Sequence, residues 1–257
     1  MRRVVLLLML SIATAMAQPA STQQRNKPAS SDEIDDRAMA ALTKMSDYLK
    51  TLKTFRINSE FSQDEIVDTN MKVQKNGTNE IFVRMPDRLF AHVETDDHDL
   101  EFIYDGKTFT LFGVGQNFYA SSPAPPTVPR MLNAVRAKYG IVFPVADFIQ
   151  MAGDENLLQE VTKIGYIGTR KIDGVECDHL AVRQTEVDWQ VWIEKDETPL
   201  PRKLVITTKT QPAQTQFMTK LRWDLSPTID DNLFSFTPPQ DAVRIRFGRK
   251  HEKRATP

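Results

Sequence analysis

The fold is decided by the stretch VDWQVWIE at residues 187–194, which is followed by KDETPLP at 195–201 and RKLVITT at 202–208. β-Branched and aromatic residues on both sides of a charged, proline-containing connection predict two antiparallel strands joined by a loop of about seven residues. A period of two places Trp189, Val191 and Ile193 on one face of the first strand, and Trp192 on the other. Both faces of this sheet therefore need a cover, because each carries a large apolar group.

The N-terminal residues have the composition of an export signal. Arg2 and Arg3 precede an apolar run at residues 4–15, and AMA at 15–17 is a small-x-small cleavage site before Gln18. The apolar run is too short to span a bilayer, and no cysteine stands near the site to carry a lipid. We therefore expect a soluble periplasmic protein whose signal peptide, residues 1–17, is cleaved after Ala17.

Charge and cysteine content exclude some classes of function. Without Arg2 and Arg3, 31 basic residues (33 − 2) stand against 34 acidic ones, a net charge of −3 that does not point to nucleic acid. The single Cys177 cannot form an internal disulfide, so we expect it to be buried. We expect a flexible leader at residues 18–31, a single domain at 32–247, and a disordered basic tail at 248–257.

An amphipathic helix is predicted first, at residues 33–53. Its apolar residues recur at intervals of three and four: Ile34, Ala38, Ala41, Leu42, Met45, Leu49 and Leu52. From Phe55 the period changes to two, which is typical of strands. The apolar face of the helix therefore has a sheet to cover.

Three dipeptides of the kind that forms tight turns divide the strands that follow. NG at 76–77 predicts that residues 71–83 form two paired strands, and DG at 173–174 predicts a turn between strands at 166–172 and 175–183. DG at 105–106 predicts a two-residue turn that pairs Tyr104 with Lys107, Phe102 with Phe109 and Leu100 with Leu111. One face would then present Leu100, Phe102, Tyr104, Phe109 and Leu111.

The sheet is predicted to stop at SSPAPP, residues 121–126, because proline cannot donate to a ladder. Thr127 is positioned to cap a helix that ends at Gly140, and a second short helix is expected at residues 144–151. The chain then returns to strands, and residues 229–239 close the domain with Leu233, Phe234 and Phe236. We predict an α+β fold: a curved antiparallel sheet of about 10–11 strands forming an incomplete β-barrel, with helices on its concave face.

Six segments carry a resemblance to a known family: RMPDRL (84–89), YDGK (104–107), GVECDHL (174–180), DWQVWIE (188–194), LPRKL (200–204) and FSFTPP (234–239). The chain resembles, over about residues 33–247, a family of exported bacterial proteins in the superfamily of the periplasmic lipoprotein carrier LolA and its receptor LolB. The resemblance implies an unclosed antiparallel barrel whose helix-lidded concave face encloses an apolar cavity for acyl chains. It implies no catalytic residue.

Aromatic side chains on predicted strands are the candidate lining of such a cavity: Phe82, Phe90, Phe102, Tyr104, Phe109, Trp189, Trp192, Phe217 and Trp223. Such a face must be covered by helices, a partner or a ligand, because a large exposed apolar patch is unfavourable in water. An acyl chain suits this lining, since each buried CH₂ contributes roughly 0.8 kcal/mol without any polar contact. The alternative is an ordinary core filled by these side chains themselves.

Cys177 and His179 are the candidates for chemistry, because residues two apart on a strand point the same way. Two ligands do not make a metal site, and His92, His98 and His251 come from separate segments. A Cys–His nucleophile pair would need a third, orienting group that the sequence does not signal. A solvated turn is the favoured interpretation of Asp96, Asp97 and Asp99, and weak calcium binding is the alternative.

The sequence predicts no enzyme, no cofactor and no metal. The favoured hypothesis is a monomeric, non-enzymatic periplasmic protein that binds a lipid or the acyl part of a lipoprotein, with transient membrane contact and a role as a carrier between membranes. The alternative is a sensor or interaction module that uses the same fold to bind an envelope protein. An enzyme would be favoured only if Cys177 were exposed and reactive.

Overall fold

The structure, a computed structural model, describes residues 34–67, 71–141, 143, 145–151 and 161–248. These residues form one twelve-stranded, unclosed sheet with three α-helices, which confirms the predicted α+β class and incomplete barrel. The expected signal peptide and leader, and the tail beyond Gly248, lie outside the described residues. In the part of the chain that the structure describes, no helix is both long and apolar enough to cross a membrane.

The elements follow one another along the chain with few interruptions. The helices are α1 (Asp36–Thr51), α2 (Val128–Tyr139) and α3 (Ala146–Met151), and a 3₁₀ turn covers Asp231–Phe234. The strands are β1 (Thr54–Ile66), β2 (Lys72–Arg84), β3 (Arg88–Thr95), β4 (Asp99–Tyr104), β5 (Thr108–Gly113), β6 (Phe118–Pro123), β7 (Lys163–Ile172), β8 (Val175–Arg183), β9 (Val187–Glu194), β10 (Pro201–Thr208), β11 (Gln216–Asp224) and β12 (Val243–Arg244). Their order in the sheet is β12-β6-β5-β4-β3-β2-β1-β11-β10-β9-β8-β7, so that the chain's first strand lies in the middle.

The two faces of the sheet have different covers. We call the face against which the three helices pack the inner face, and the opposite one the outer face. Ile57 of β1 lies opposite Ile81 of β2 and Trp223 of β11, and all three side chains point to the inner face. The stretch that opened the sequence obeys the same alternation, with Trp189, Val191 and Ile193 inward and Trp192 outward.

Helix α1 forms where its apolar spacing predicted. Asp35 caps it by accepting a hydrogen bond from the Ala38 amide (3.0 Å), and the helix ends at Thr51, with Leu52 as its C-cap. Ala38, Leu42, Met45 and Leu49 are at most 1% exposed and form the stripe that covers the inner face. The prediction for residues 33–53 is confirmed, with both ends shortened.

The predicted hairpin at Asn76-Gly77 is wrong. Residues 72–84 form one continuous strand, β2, paired along its whole length with β1, and Gly77 lies directly opposite Phe61. A Cβ atom on Gly77 would come within 2.5 Å of both the Phe61 ring and the Glu94 carbonyl oxygen. Glycine is needed here for close packing and not for a turn, because a strand interior also selects glycine where another group approaches the backbone.

The hairpin at Asp105-Gly106 exists, but its register differs from the prediction. Tyr104 pairs with Phe109, Phe102 with Leu111, and Leu100 with Gly113, so the connection is longer than two residues. The Asp105 carboxylate accepts from the amides of Lys107 (2.8 Å) and Thr108 (2.7 Å) and closes this longer turn. A shift of two residues keeps every side chain on its predicted face, so the apolar face is as predicted.

Two further turn predictions have different outcomes. Asp173 (φ 48°) and Gly174 (φ 87°) join β7 to β8 by the predicted two-residue turn. Residues 121–123 were expected to interrupt the sheet, yet they belong to β6 and pair with β5. Proline is tolerated at the end of this strand because the partner on its other side, β12, is only two residues long.

The C-terminal residues 229–242, here called the outer cover, lie across the outer face. Phe234 is 1% exposed and packs with Phe90, Ile103 and Phe112. β12 then pairs in parallel with β6, beyond the outer cover. Phe247 packs against Phe109 with tilted rings whose centroids are 4.8 Å apart, at the border of the inner core.

Candidate functional site

The inner face of β4 and β5 holds the densest group of predicted cavity residues. Phe102, Tyr104 and Phe109 are at most 2% exposed. Phe102 meets the ring of Phe143 edge-on at 4.7 Å, and the Tyr104 hydroxyl donates a hydrogen bond to the Pro125 carbonyl. Burial raises the pKa of Tyr104 to about 12, so this hydroxyl remains a neutral donor.

The tryptophans of the inner face lie on the other side of the central strands. Trp189 is 8% exposed and donates from Nε1 to the Gln184 side chain at 3.2 Å. Trp223 packs on Phe55 (5.5 Å) and donates from Nε1 to the Pro201 carbonyl at 2.8 Å. Both therefore have their polar atoms satisfied within the protein, as buried indole groups require.

The remaining predicted residues divide between the faces. Phe217 lies on the inner face and stacks on Phe61 at 5.7 Å. Phe82, Phe90 and Trp192 point to the outer face, where the two phenylalanines meet beneath the outer cover. The structure thus brings six of the nine predicted cavity residues to one face: Phe102, Tyr104, Phe109, Trp189, Phe217 and Trp223.

Side chains fill the space between α2 and α3 almost completely. The cleft between α2 and α3, bordered by Leu132, Phe143 and Ala146, holds a free volume of about 10 Å³. That is about the space of one water molecule. A guest at this position would have to displace part of the cover.

Helix α3 is the shortest part of that cover. It lies against α1 and α2 and buries Phe148 and Ile149, each 2% exposed. Asp147 stands in the cleft beside Arg136 of α2. Burial raises the pKa of the Asp147 carboxyl to about 6, and the Arg136 guanidinium partly offsets this rise. The sequence carried no signal for this acid.

Cys177 and His179 share the outer face but are engaged separately. Cys177 is fully buried, and burial raises the pKa of its thiol to about 11. The His179 ring stacks on Trp192 at 4.0 Å, and its Nε2 lies 2.9 Å from the Gln190 side-chain oxygen. Burial lowers the pKa of His179, so its neutral form is favoured. A thiol with so high a pKa is a poor nucleophile.

Two of the aspartates in the acidic turn at residues 96–99 pair with basic side chains of neighbouring strands. Asp97 pairs with Lys75 at 2.5 Å, and Asp99 contacts His92 Nε2 at 2.8 Å. Within the described residues, no group of three or more His, Cys, Asp or Glu side chains is arranged to hold a metal ion.

A groove on the outer face was not predicted. It has a volume of about 650 Å³ and crosses β11, β1, β2 and β3, away from the helices. The side chains that line it are mostly polar and come from four separate strands, so no contiguous motif could reveal it.

Comparison with protein families gives one match over most of the chain. The model of a family described as "Predicted periplasmic protein (DUF2092)" matches residues 38–248. The comparison with curated proteins finds no match.

Comparison with solved structures gives likeness of fold. The lipoprotein LppX of Mycobacterium tuberculosis is 14% identical with a TM-score of 0.50, and the match covers 76% of this chain and 100% of that one. A LolA superfamily protein from Nitrosomonas europaea is 10% identical with a TM-score of 0.37, over 77% of this chain and 97% of that one. MucB of Pseudomonas aeruginosa, in its complex with MucA, is 16% identical with a TM-score of 0.43, and the match covers 78% of this chain and 61% of that one.

Proposed function

The chain belongs to the DUF2092 family of predicted periplasmic proteins, and from this membership and the helix-covered inner face we propose that it is a non-enzymatic periplasmic binding protein that holds a lipid or a lipoprotein acyl chain. The proposal places the acyl chain between the inner face and its helices. Cleavage of the signal peptide after Ala17 is part of the proposal, because it would release the chain into the periplasm.

One observation carries the proposal: the inner face of the unclosed sheet is lined by aromatic side chains, and a short helix, α3, forms part of the layer that covers them. Phe102, Phe109 and Trp189 lie beneath this cover. A large apolar surface of this kind can be covered by side chains or by hydrocarbon, since the hydrophobic effect depends on the apolar area buried and not on the orientation of the groups. A guest could therefore replace the cover without new polar contacts.

Helices α2 and α3 lie outside the hydrogen-bonded ladder of the sheet, so their displacement would leave the sheet intact. Helix α2 begins at Val128, whose amide donates to the Pro86 carbonyl at 2.8 Å, and ends at Gly140 in a left-handed conformation (φ 72°). Near its end the Tyr139 hydroxyl donates to Ser122 at 3.0 Å. The apolar side chains between these two ends form the main contact with the inner face. Such contacts re-form readily on hydrocarbon.

An acyl chain offers more apolar burial than the α3 side chains that it would replace. An acyl chain of about 16 CH₂ groups gains roughly 13 kcal/mol on full burial, at about 0.8 kcal/mol per group. Exposing Phe148 and Ile149 costs only about 1.5–3 kcal/mol each. The difference of about 7–10 kcal/mol is of the same size as the about 4–15 kcal/mol that association costs in lost freedom.

The direct test is to purify the protein from its host, extract it with organic solvent and identify lipids by mass spectrometry, alongside titration with a fluorescent fatty acid. We expect co-purified lipid or saturable fatty-acid binding. Consistently lipid-free protein that also fails to bind the fatty acid would overturn the proposal.

A matched pair of variants distinguishes the inner face from the outer one. Phe148→Ala removes an aromatic group from α3, and Phe234→Ala removes an equally buried one from the outer cover. Both should lower stability, but only Phe148→Ala should tighten fatty-acid binding, because it lowers the cost of displacing α3. Equal effects of the two variants on binding would contradict the inner location.

A second candidate function, an interaction module for an envelope protein, is favoured by the edge strand β7. β7 ends the sheet, and Ile167 on it is 46% exposed. In the described chain, the segment before α1 covers only part of this edge, where the Asp35 amide donates to the Ile164 carbonyl at 3.1 Å. An extended peptide could pair with the rest. Crosslinking in cells that captures lipid and no protein would count against this candidate.

A further inference from the structure

Strand β7 leaves part of one sheet edge without a partner strand. β7 ends the sheet, and its other side pairs with β8 along its length. Beside the two-residue turn, Ile172 and Val175 form a hydrogen-bonded pair, so by alternation Lys171 and Thr169 direct their backbone N–H and C=O groups away from β8. Among the described residues, no other strand meets these groups. We call residues 167–172 the open edge.

The open edge is basic. β7 carries three basic residues and no acidic one. Arg170 and Lys171 are neighbours in the strand, so their side chains point to opposite faces and would flank an added strand on both sides. Neither side chain forms an ion pair with a described residue. Glu176, which lies opposite Lys171, is paired with Lys195 at 3.7 Å. The open edge therefore carries two positive charges that the described part of the chain leaves without an acidic partner.

The protein itself already binds an acidic residue at the other end of this strand. Asp35 precedes α1 in an extended conformation (φ −72°, ψ 113°). Its backbone amide donates to the Ile164 carbonyl at 3.1 Å, and one of its carboxylate oxygens accepts from the Tyr166 amide at 3.4 Å. β7 thus accepts an extended, acidic segment where the chain supplies one. The open edge offers backbone groups of the same kind.

A second copy of this chain would fit the open edge poorly. Because β7 has no acidic side chain, pairing of two β7 strands would place basic groups against basic or neutral ones in every register. Basic residues on an edge strand disfavour self-pairing of this kind. The same charges attract a strand that carries carboxylates. The side chain of Ile167, which is 46% exposed, adds an apolar contact.

We propose that the open edge binds an acidic segment of a partner protein, which adds a strand to β7 and places its carboxylates against Arg170 and Lys171. This inference rests on the second candidate function and specifies its partner: an extended segment with neighbouring acidic residues, one on each face. Backbone hydrogen bonds to Thr169 and Lys171 would supply affinity, and the paired charges would supply selectivity.

The test is titration of the full protein with a short, labelled peptide in which neighbouring glutamates lie among threonine and valine. One comparison peptide has lysine in place of glutamate, and another is the acidic peptide with N-methylated backbone amides. We expect both comparison peptides to bind at least about tenfold more weakly, because one loses the charge pairs and the other the donors of an added strand. Absence of binding by the acidic peptide would overturn the proposal. Equal binding of its N-methylated version would also overturn it, since attraction would then need no added strand.

Charge reversal locates the site. The double change Arg170→Glu and Lys171→Glu should weaken binding of the acidic peptide at least about tenfold and strengthen binding of the lysine peptide. The matched control is Arg244→Glu with Arg246→Glu, at exposed arginines beside the opposite end of the sheet, and should bind as the unchanged protein does. Equal losses in the two double variants would show that only the net charge matters and would overturn the location.

Hydrogen exchange provides an independent check on the backbone. The acidic peptide should slow exchange of the Thr169 and Lys171 amides, whose N–H groups face the partner, and leave the amides of β12 unchanged. Protection elsewhere in the sheet without protection of these two amides would contradict strand addition at β7.

Crosslinking in cells separates this inference from the candidate function on which it rests. A protein partner that is captured by the unchanged protein and lost from Arg170→Glu with Lys171→Glu would support both. A partner captured equally by the two would support the interaction module and overturn the acidic edge. Capture of lipid and no protein would overturn both.

Discussion

The inner face and the outer face of the sheet both carry aromatic side chains, but their covers differ. The inner face is covered by α1, α2 and α3, and the outer face by residues 229–242. The outer cover packs through Phe234, and Arg84 of β2 adds a contact at its edge: it pairs with Asp231 at 2.7 Å and lies 5.2 Å from the centre of the Phe234 ring. The cover at α3 is apolar and includes a half-buried acid. An apolar cover can be exchanged for hydrocarbon, whereas the contact of Arg84 with the outer cover is one that hydrocarbon would not replace.

The largest expected change in stability comes from replacing phenylalanines on two adjacent strands, one on each face of the sheet. Phe102→Ala on the inner face should lower the free energy of unfolding by about 3–5 kcal/mol, because the ring is 1% exposed and packs on Phe109 and Phe143. Phe112→Ala on the outer face, where the residue is 8% exposed, should cost about 1.5–3 kcal/mol. Urea unfolding followed by circular dichroism measures both. A larger loss for Phe112→Ala would show that the outer cluster is the main core.

A smaller effect concerns pH and the inner cover. The Asp147 pKa is about 6 in the folded protein against 3.8 for the free group, so the ionised carboxylate opposes folding. The cost is absent below about pH 4, grows as pH rises, and is complete above about pH 6. Asp147→Asn should therefore stabilise the protein by about 1–2 kcal/mol near pH 7.5, after allowance for partial exposure, and have no effect near pH 4.

Thermal unfolding of Asp147→Asn across this pH range measures the effect. Hydrogen exchange should locate the gain in α3 and leave the outer cover unchanged. A gain that does not depend on pH would contradict the assignment to the carboxyl group.

The smallest effects concern the contacts of the outer cover. Arg84→Ala should lower the free energy of unfolding by about 1 kcal/mol, because it removes both the ion pair and the contact with Phe234. Asp231→Asn removes only the ion pair, whose carboxylate is 83% exposed, and should cost less than about 0.5 kcal/mol. Hydrogen exchange at Tyr119 and Phe236 should rise in Arg84→Ala more than in Asp231→Asn. Equal effects would assign the stabilisation to the ion pair alone.

Local patterns predicted most of the fold. The spacing of Leu42, Met45 and Leu49 predicted α1, and the alternation around Trp189 predicted which side chains share a face. The role of Gly77 could not be predicted. Glycine is needed there because the ring of Phe61 leaves no room for a Cβ atom, and this ring comes close only after β1 and β2 pair. The register after Tyr104 could not be predicted either, since the Asp105 carboxylate selects a longer turn than the dipeptide suggests.

The candidate sites show the same limit. The aromatic residues of the inner face could be named from the sequence, but Phe82, Phe90 and Trp192 were grouped with them, because alternation separates two faces without saying which one the helices cover. The groove that contains Ser62 and Glu94 had no sequence signal at all. Its residues lie on four strands and meet only through sheet pairing.

The sequence by itself predicts an export signal, and it determined the alternating strands, the helix stripes and the large apolar content of both faces, because each of these depends on residues close together in the chain. Only the tertiary structure decided which face the helices cover, whether a glycine forms a turn or a packing contact, and which side chains line the outer groove. Those properties depend on strand register and on contacts between residues far apart in the chain, and no local pattern encodes them.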